Sequence, residues 1–147
     1  MANASGTFRV TLNGAENRRT LAGHFLAESF GAAVQHVAFA TKDIFATAEN
    51  LARNGFRPLE INRNYYDDVE ARFGLDPDFA ERLRAANILY DRDEHGEYFQ
   101  LYSPLYGEGF FFEIVERRGY QGYGAPNAIF RIAAQKRRIR PEGMPSR

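Results

Sequence analysis

Between residues 34 and 55 the hydrophobic period changes from two to about three and a half. VQHVAFAT (34–41) alternates apolar and small residues as a strand does. KDIFATAENLARNG (42–55) then sets Ile44, Ala48, Leu51 and Ala52 on one helical face, with Asp43 as N-cap and Gly55 as stop. Upstream, TFRVTLN (7–13) alternates and predicts a strand, and Leu21, Phe25 and Leu26 predict a short helix over 18–29. Downstream, FRPLEI (56–61) predicts a short strand weakened by Pro58. NYYDDVEARF (64–73) and PDFAERLRAA (77–86) predict two helices, the second opened by Pro77 after Asp76.

The pattern then returns to period two. ILYDR (88–92) and EYFQLYS (97–103) flank the turn Asp93-Glu94-His95-Gly96 as a hairpin, and FFFEIVERR (110–118) follows as another strand. NAIFRIAAQKRR (127–138) closes as a helix, ahead of a loose tail over 139–147. Consecutive strands joined by tight turns predict an α+β unit with a mainly antiparallel sheet, rather than a doubly wound parallel one.

Parity sorts the strand side chains to faces. His36 shares a face with Val34, Ala38 and Ala40; Gln100 with Tyr98 and Tyr102; Glu113 with Phe111 and Val115. If the strands curve around one cavity, His36, Gln100 and Glu113 converge beside aromatic walls. A carboxylate between Phe111 and Val115 needs a metal, an arginine partner or an exposed edge, since unpaired burial is costly. All three readings stay open on spacing alone, as does a purely structural role for His36. His95, in the hairpin turn, and His24, in the first helix, read as surface or packing residues. Gly119, Gly122 and Gly124 lack the lysine and the strand-to-helix setting of a phosphate loop.

Composition removes several function classes. The chain has 147 residues, one domain's worth, and no cysteine, which excludes disulfides, thiolate nucleophiles and cysteine-bound metals. Lys+Arg and Asp+Glu are both 19, so no charge excess recruits nucleic acid or a membrane surface, the local QKRRIR aside. No apolar run approaches spanning length and the first residues lack a signal-peptide core, so the expected location is the cytoplasm.

Several collinear segments carry a family resemblance. Gly31 to Ala38 followed by Thr41-Lys42-Asp43-Ile44 resembles the opening of the last module of 4-hydroxyphenylpyruvate dioxygenases. So do Asn64-Tyr65-Tyr66, Ile88 to Asp93, Phe99 to Tyr102, Phe111 to Arg117 and Gln121-Gly122-Tyr123-Gly124. The resemblance implies the vicinal-oxygen-chelate superfamily, whose glyoxalase- and dioxygenase-like members pair βαβββ modules with curved sheets around a metal. It implies residues 1–30 as the tail of a preceding module, 31–138 as one complete βαβββ module with a C-terminal helix, and 139–147 as a flexible tail.

On this resemblance His36 and Glu113 are two of three ligands to Fe(II), with Mn, Co, Mg or Zn as alternatives. Asn13, Gln35 and Gln100 match polar positions of the substrate pocket, and Tyr102 and Phe111 its aromatic walls. Tyr123 and Asn127 match the segment entering the gate helix. The third ligand, a histidine of the preceding module, would lie upstream of residue 1. The expected partners are a small organic acid and a second chain, either another copy or an upstream module, that completes the site. Ala128, where the dioxygenases carry an aromatic ring, and Pro126, where they carry glycine, depart from a hydroxyphenyl pocket.

A closer resemblance is to the dioxygenase-like C-terminal half of bacterial 3-dehydroshikimate dehydratases. It rests on Asn64 to Asp68, Leu89 to Glu94 and Ile132-Ala133-Ala134-Gln135. It implies a second reading, an accessory domain that binds a partner or a small molecule without catalysis.

Overall fold

A computed structural model describes residues 1–15 and 17–138. The expected tail at 139–147 lies outside the described residues. Two compact units form, Met1–Ala33 and a second beginning at Val34.

In the first unit α1 spans Leu21–Glu28, and Thr20 Oγ1 caps it by accepting from Gly23 N at 3.0 Å. The strand expected at 7–13 does not form. Its only strand pairing among the described residues is the single antiparallel bridge of Arg9 with Ala2, closed by Asn3 N donating to Phe8 O and Val10 N to Met1 O. Alternation is a necessary pattern for a strand, but backbone groups also need a partner row, and these residues find none.

The second unit runs β1 (His36–Ala40), α2 (Ile44–Arg53), α3 (Arg63–Phe73), α4 (Pro77–Ala85), β2 (Leu89–Arg92), β3 (Glu97–Tyr102), β4 (Phe111–Arg118) and α5 (Ala125–Arg138). The four strands form one sheet ordered β1-β4-β3-β2, with β1 parallel to β4 and the other two pairs antiparallel. This is the expected α+β arrangement. The short strand expected at 56–61 is absent: Leu59 N donates to Tyr102 O, but Ile61 N donates to the Asn87 side chain, and Pro58 has no N–H to give.

Local chemistry fixes the element ends. Asp43 Oδ1 accepts from Ala46 N at the start of α2, and Glu116 Oε2, reaching across from β4, accepts from Ile44 N at 2.8 Å. Asp76 caps α4 ahead of Pro77. In the hairpin, Asp93 Oδ1 accepts from His95 N and Gly96 N; a Cβ on Gly96 would overlap the Arg118 carbonyl oxygen, so no larger residue fits.

One sheet face carries the apolar core. Phe45, Phe79 and Tyr90 pack edge-on around Phe99, which is fully buried with Ile44, Leu59, Leu83, Ile88 and Leu101. Edge-to-face rings suit the aromatic quadrupole. The opposite face is polar. Register places His36 across from Phe111, Ala38 from Glu113, Tyr102 from Glu113 and Gln100 from Val115, so all of them share that second face. No helix among the described residues is long and apolar enough to cross a membrane.

Candidate metal centre

His36 opens β1 and Glu113 sits on the inner strand β4, where the parallel pairing sets them diagonally on one face, His36 opposite Phe111 and Glu113 opposite Ala38. His36 Nε2 and Glu113 Oε2 are 3.5 Å apart, too far for a good hydrogen bond. Burial lowers the His36 pKa, Glu113 opposes that shift, and the Arg131 charge adds to it. The imidazole is therefore neutral at neutral pH, and the contact is not an ion pair. Two donors bound to one ion at about 2.1 Å lie roughly 3 to 3.4 Å apart, so this pair fits a shared metal with little movement.

The carboxylate is held from behind. Gln100 Nε2 donates to Glu113 Oε1 at 2.9 Å, leaving Oε2 to face His36. The same amide nitrogen donates to the Tyr102 hydroxyl at 2.6 Å, and Asn127 Nδ2 donates to Gln100 Oε1 at 2.8 Å. Asn127 Oδ1 in turn accepts from the Tyr65 hydroxyl at 2.9 Å. Glu113, Gln100, Asn127 and Tyr65 are all buried, so the relay runs dry from α3 through α5 to the carboxylate. Its only consistent amide orientation is the one given, because Glu113 can only accept. Gly124 (φ +64°) makes room: a Cβ there would lie 2.4 Å from Gln100 Oε1.

Aromatic rings wall the pair. Phe111 stacks on the His36 ring at 4.9 Å and 4°, and Tyr102 meets Phe111 edge-on at 6.0 Å. Burial and the Glu113 charge push the hydroxyls of Tyr102 and Tyr98 well above the ordinary tyrosine range. Both stay protonated donors. Further along the same face, the Tyr120 hydroxyl donates to buried Asp91, and Tyr120 stacks on Tyr98 at 5.0 Å.

Of the residues singled out from sequence, His36, Gln100, Tyr102, Phe111, Glu113 and Asn127 come together. Gln100 spends both amide hydrogens inside the protein, on Glu113 and Tyr102. Gln35 gives its backbone carbonyl to Phe111 N at 3.2 Å. Tyr123 is largely exposed, 5.4 Å from the Arg117 guanidinium. Asn13 is an exposed residue of the first unit. His24 and His95 are exposed, as expected. Among the described residues no third His, Asp or Glu completes a ligand cluster.

Sequence reasoning missed Arg131 and Gln135. The guanidinium carbon of Arg131 lies 4.9 Å from the Phe111 centroid and 5.6 Å from that of Tyr102. The available signal was the four-residue step Asn127, Arg131, Gln135, which puts all three on one face of α5.

Over 131 residues the chain is 47% identical to the 3-dehydroshikimate dehydratase of Pseudomonas putida, and over 124 residues 32% identical to the 4-hydroxyphenylpyruvate dioxygenase of Pseudomonas aeruginosa. The chain is a homologue of the C-terminal regions of both. The first match takes in 88% of the chain and 21% of the dehydratase, the second 83% of the chain and 35% of the dioxygenase. The chain thus spans about a fifth to a third of the curated relatives it matches. Among solved structures, a xylose isomerase-like TIM barrel/4-hydroxyphenylpyruvate dioxygenase fusion protein superposes with a TM-score of 0.80 at 43% identity. That superposition covers 95% of the chain and 23% of the fusion protein. An engineered variant of 4-hydroxymandelate synthase from Streptomyces coelicolor superposes at 0.68 with 32% identity, covering 80% of the chain and 34% of that protein. No family model matches the chain. The fold is that of a dioxygenase-like module.

Proposed function

We propose that the chain is one half of a non-haem metal centre of the dioxygenase type, in which His36 and Glu113 bind Fe(II) and a second chain supplies the remaining protein ligand. The observation that carries the proposal is the His36–Glu113 pair: neutral nitrogen and carboxylate oxygen 3.5 Å apart, each oriented by a neighbour on its own strand pair. When bound, Fe(II) offers open positions for the oxygens of a small organic acid, such as a 2-oxo acid, and for O2. The chain's own residues prepare that site. Gln100 fixes which carboxylate oxygen faces outward, Phe111 keeps the imidazole plane in place, and Tyr102 and Tyr98 hold protons beside the carboxylate. Manganese, cobalt, magnesium or zinc suits the same donors less selectively.

The partner surface is argued from β1. Among the described residues this strand pairs on one side only, with β4, and Val34, Phe39 and Phe112 beside it are 66%, 53% and 36% exposed. A free strand edge with apolar neighbours favours docking of another module, from a second copy or a separate chain.

The test is metal analysis by mass spectrometry on protein purified without added iron, followed by Mn(II) and Fe(II) titration. Near-stoichiometric metal in the wild type, lost in His36→Ala and Glu113→Gln while both melt as folded proteins, is the expected result. Less than about a tenth of an equivalent after loading sinks the ligand assignment. The second reading is an accessory domain of a 3-dehydroshikimate dehydratase system, non-catalytic alone. The 47% identity to the dehydratase and the lack of a third ligand among the described residues favour it. Metal-free protein that leaves oxygen consumption unchanged with 2-oxo acids, yet binds a dehydratase barrel, supports that reading.

A further inference from the structure

Away from the polar face of the sheet, a cavity of about 340 Å³ lies between the start of α3 and the last turns of α5. His36, Glu113 and the rings around them take no part in its lining. The volume is at the small end of the range for ligand sites, about 300–1,000 Å³, and suits one ring with a compact polar group. Tyr65 and Ile61, both buried, close the floor, and Phe130 and Ala133 form the accessible apolar wall.

The opening carries unspent donors. Arg137, on the α5 side, and Asn62 and Asn64, on the α3 side, stand exposed around it. The hydrogen bond that Arg137 makes crosses to the α3 side, where Nη2 reaches the Glu60 carbonyl at 3.4 Å, a long contact. Among the described residues no carboxylate lies within ion-pairing distance of its guanidinium. Asn62 Oδ1 accepts from Asn64 N at 3.1 Å, which leaves Asn62 Nδ2 and the whole Asn64 carboxamide without a partner among the described residues. Single surface amides are ordinarily met by water. These three side chains form a set because they flank one apolar cavity from two helices. A guanidinium makes charge-assisted bonds to phosphate oxygens, and further donors on the opposite wall suit an oxyanion whose oxygens lie in more than one plane.

The floor connects with the candidate metal centre. Phe130 meets Tyr65 edge-on at 4.8 Å, and the Tyr65 hydroxyl begins the buried relay through Asn127 and Gln100 to Glu113 Oε1. Asn127 also lies one turn before Phe130 on α5. A ligand seated against Phe130 therefore bears on the helix that carries Asn127 and on the ring whose hydroxyl holds it. A packed and hydrogen-bonded route of this kind can carry coupling between two sites.

We propose that the α3–α5 cavity is a second ligand site, for a small aromatic phosphate monoester, and that its occupancy shifts the Glu113 carboxylate through Tyr65. The ring lies against Phe130 and Ala133, and the phosphate is held by Arg137, Asn62 and Asn64. The site stands on the cavity alone; its effect on metal binding rests on reading His36 and Glu113 as ligands.

The experiment titrates the full chain, without metal, with phenyl phosphate, followed by two-dimensional amide NMR. Phenol, benzoate and inorganic phosphate are the controls. The wild type is expected to bind phenyl phosphate saturably and at least about tenfold more tightly than any control. Arg137→Gln brings phenyl phosphate down to the level of phenol, and Ala133→Leu, which fills the cavity from an exposed position, removes the binding of both. Saturation also moves the Gln100 side-chain amide resonances, whereas inorganic phosphate leaves them in place. Absence of binding to the wild type, unchanged binding in Ala133→Leu, or affinity for phenol or benzoate equal to that for phenyl phosphate overturns the site. Gln100 resonances that stay fixed at saturation overturn the coupling. A melt of each variant verifies folding, and Arg137→Gln keeps the test valid if Ala133→Leu unfolds. Mn(II) affinity is then measured with and without saturating phenyl phosphate. It is expected to change at least about fivefold in the wild type and to stay level in Arg137→Gln, which excludes direct chelation by the probe. Wild-type Mn(II) binding that the probe leaves unaltered overturns the coupling. A chain that takes up no Mn(II) at all defeats the metal reading, while the ligand titration and the Gln100 shifts still decide the second site.

Discussion

Tyr65 and Tyr66 are neighbours on α3, both buried, and their hydroxyls have opposite fates. The Tyr65 hydroxyl accepts from Tyr90 N at 2.7 Å and lies 2.9 Å from both Tyr90 O and Asn127 Oδ1. It therefore satisfies the outward backbone of edge strand β2 and holds Asn127 of α5 at once. The Tyr66 hydroxyl has no partner among the described residues. Tyr65→Phe strands two buried polar groups, the Tyr90 N–H and Asn127 Oδ1, and each unmade bond costs about 1–3 kcal/mol, for an expected loss of about 2–6 kcal/mol. In a chain of this size that lowers Tm by roughly 5–20 °C. Tyr66→Phe deletes a hydroxyl that is already desolvated and unpaired, so stability stays level or rises by up to about 1 kcal/mol. Urea unfolding followed by far-UV circular dichroism, with unchanged slopes, measures both. A Tyr65→Phe protein within about half a kcal/mol of wild type refutes the relay. So does a Tyr66→Phe protein that loses as much as its neighbour.

Two further outcomes follow from the same packing. Gly124→Ala places a methyl against the Gln100 amide in a left-handed backbone, so Tm falls by several degrees and the Gln100 side-chain amide resonances move; an unchanged melt and spectrum contradict the close approach. Burial raises the hydroxyl pKa of Tyr65, Tyr66, Tyr98 and Tyr102, and burial with the Asp91 contact carries Tyr120 to about 12. Above about pH 10 the folded chain holds protons that the unfolded chain releases. The stabilisation is thus complete below that pH and lost as pH rises, at about 1.4 kcal/mol per unit for each fully buried tyrosine. Tyrosinate absorbance should rise together with loss of near-UV dichroism, and ionisation of these rings with the fold intact contradicts the assignment.

Much of the module was legible because its signals are local. Asp43 and Gly55 delimit α2, Asp76-Pro77 opens α4, and Asp93 to Gly96 turns the hairpin, each through chemistry within four residues. Parity alone put His36, Gln100 and Glu113 on chosen faces, and the register brought those faces together. The failures share a cause: pairing is not local. Residues 7–13 have strand alternation without a partner row, and in 56–61 only the Leu59 N–H reaches a strand carbonyl. Arg131 and Gln135 were overlooked because polar positions on a terminal helix read as a solvated face. Only the packing of α5 over Phe111 and Tyr102 reveals that this face looks inward.

The parallel joining of β1 to β4 also has a kinetic side. His36 and Glu113 are separated by nearly the whole second unit, so their strands meet only after the long intervening loop has closed. Contacts of such high sequence separation form late, while the β2–β3 hairpin and the helices can form from near neighbours. The His36–Glu113 pair is therefore expected to form in the final docking step. A metal that bridges the two strands would act as a latch on it, slowing unfolding more than it speeds folding. Metal uptake during refolding would then serve as a clock for the last strand to arrive.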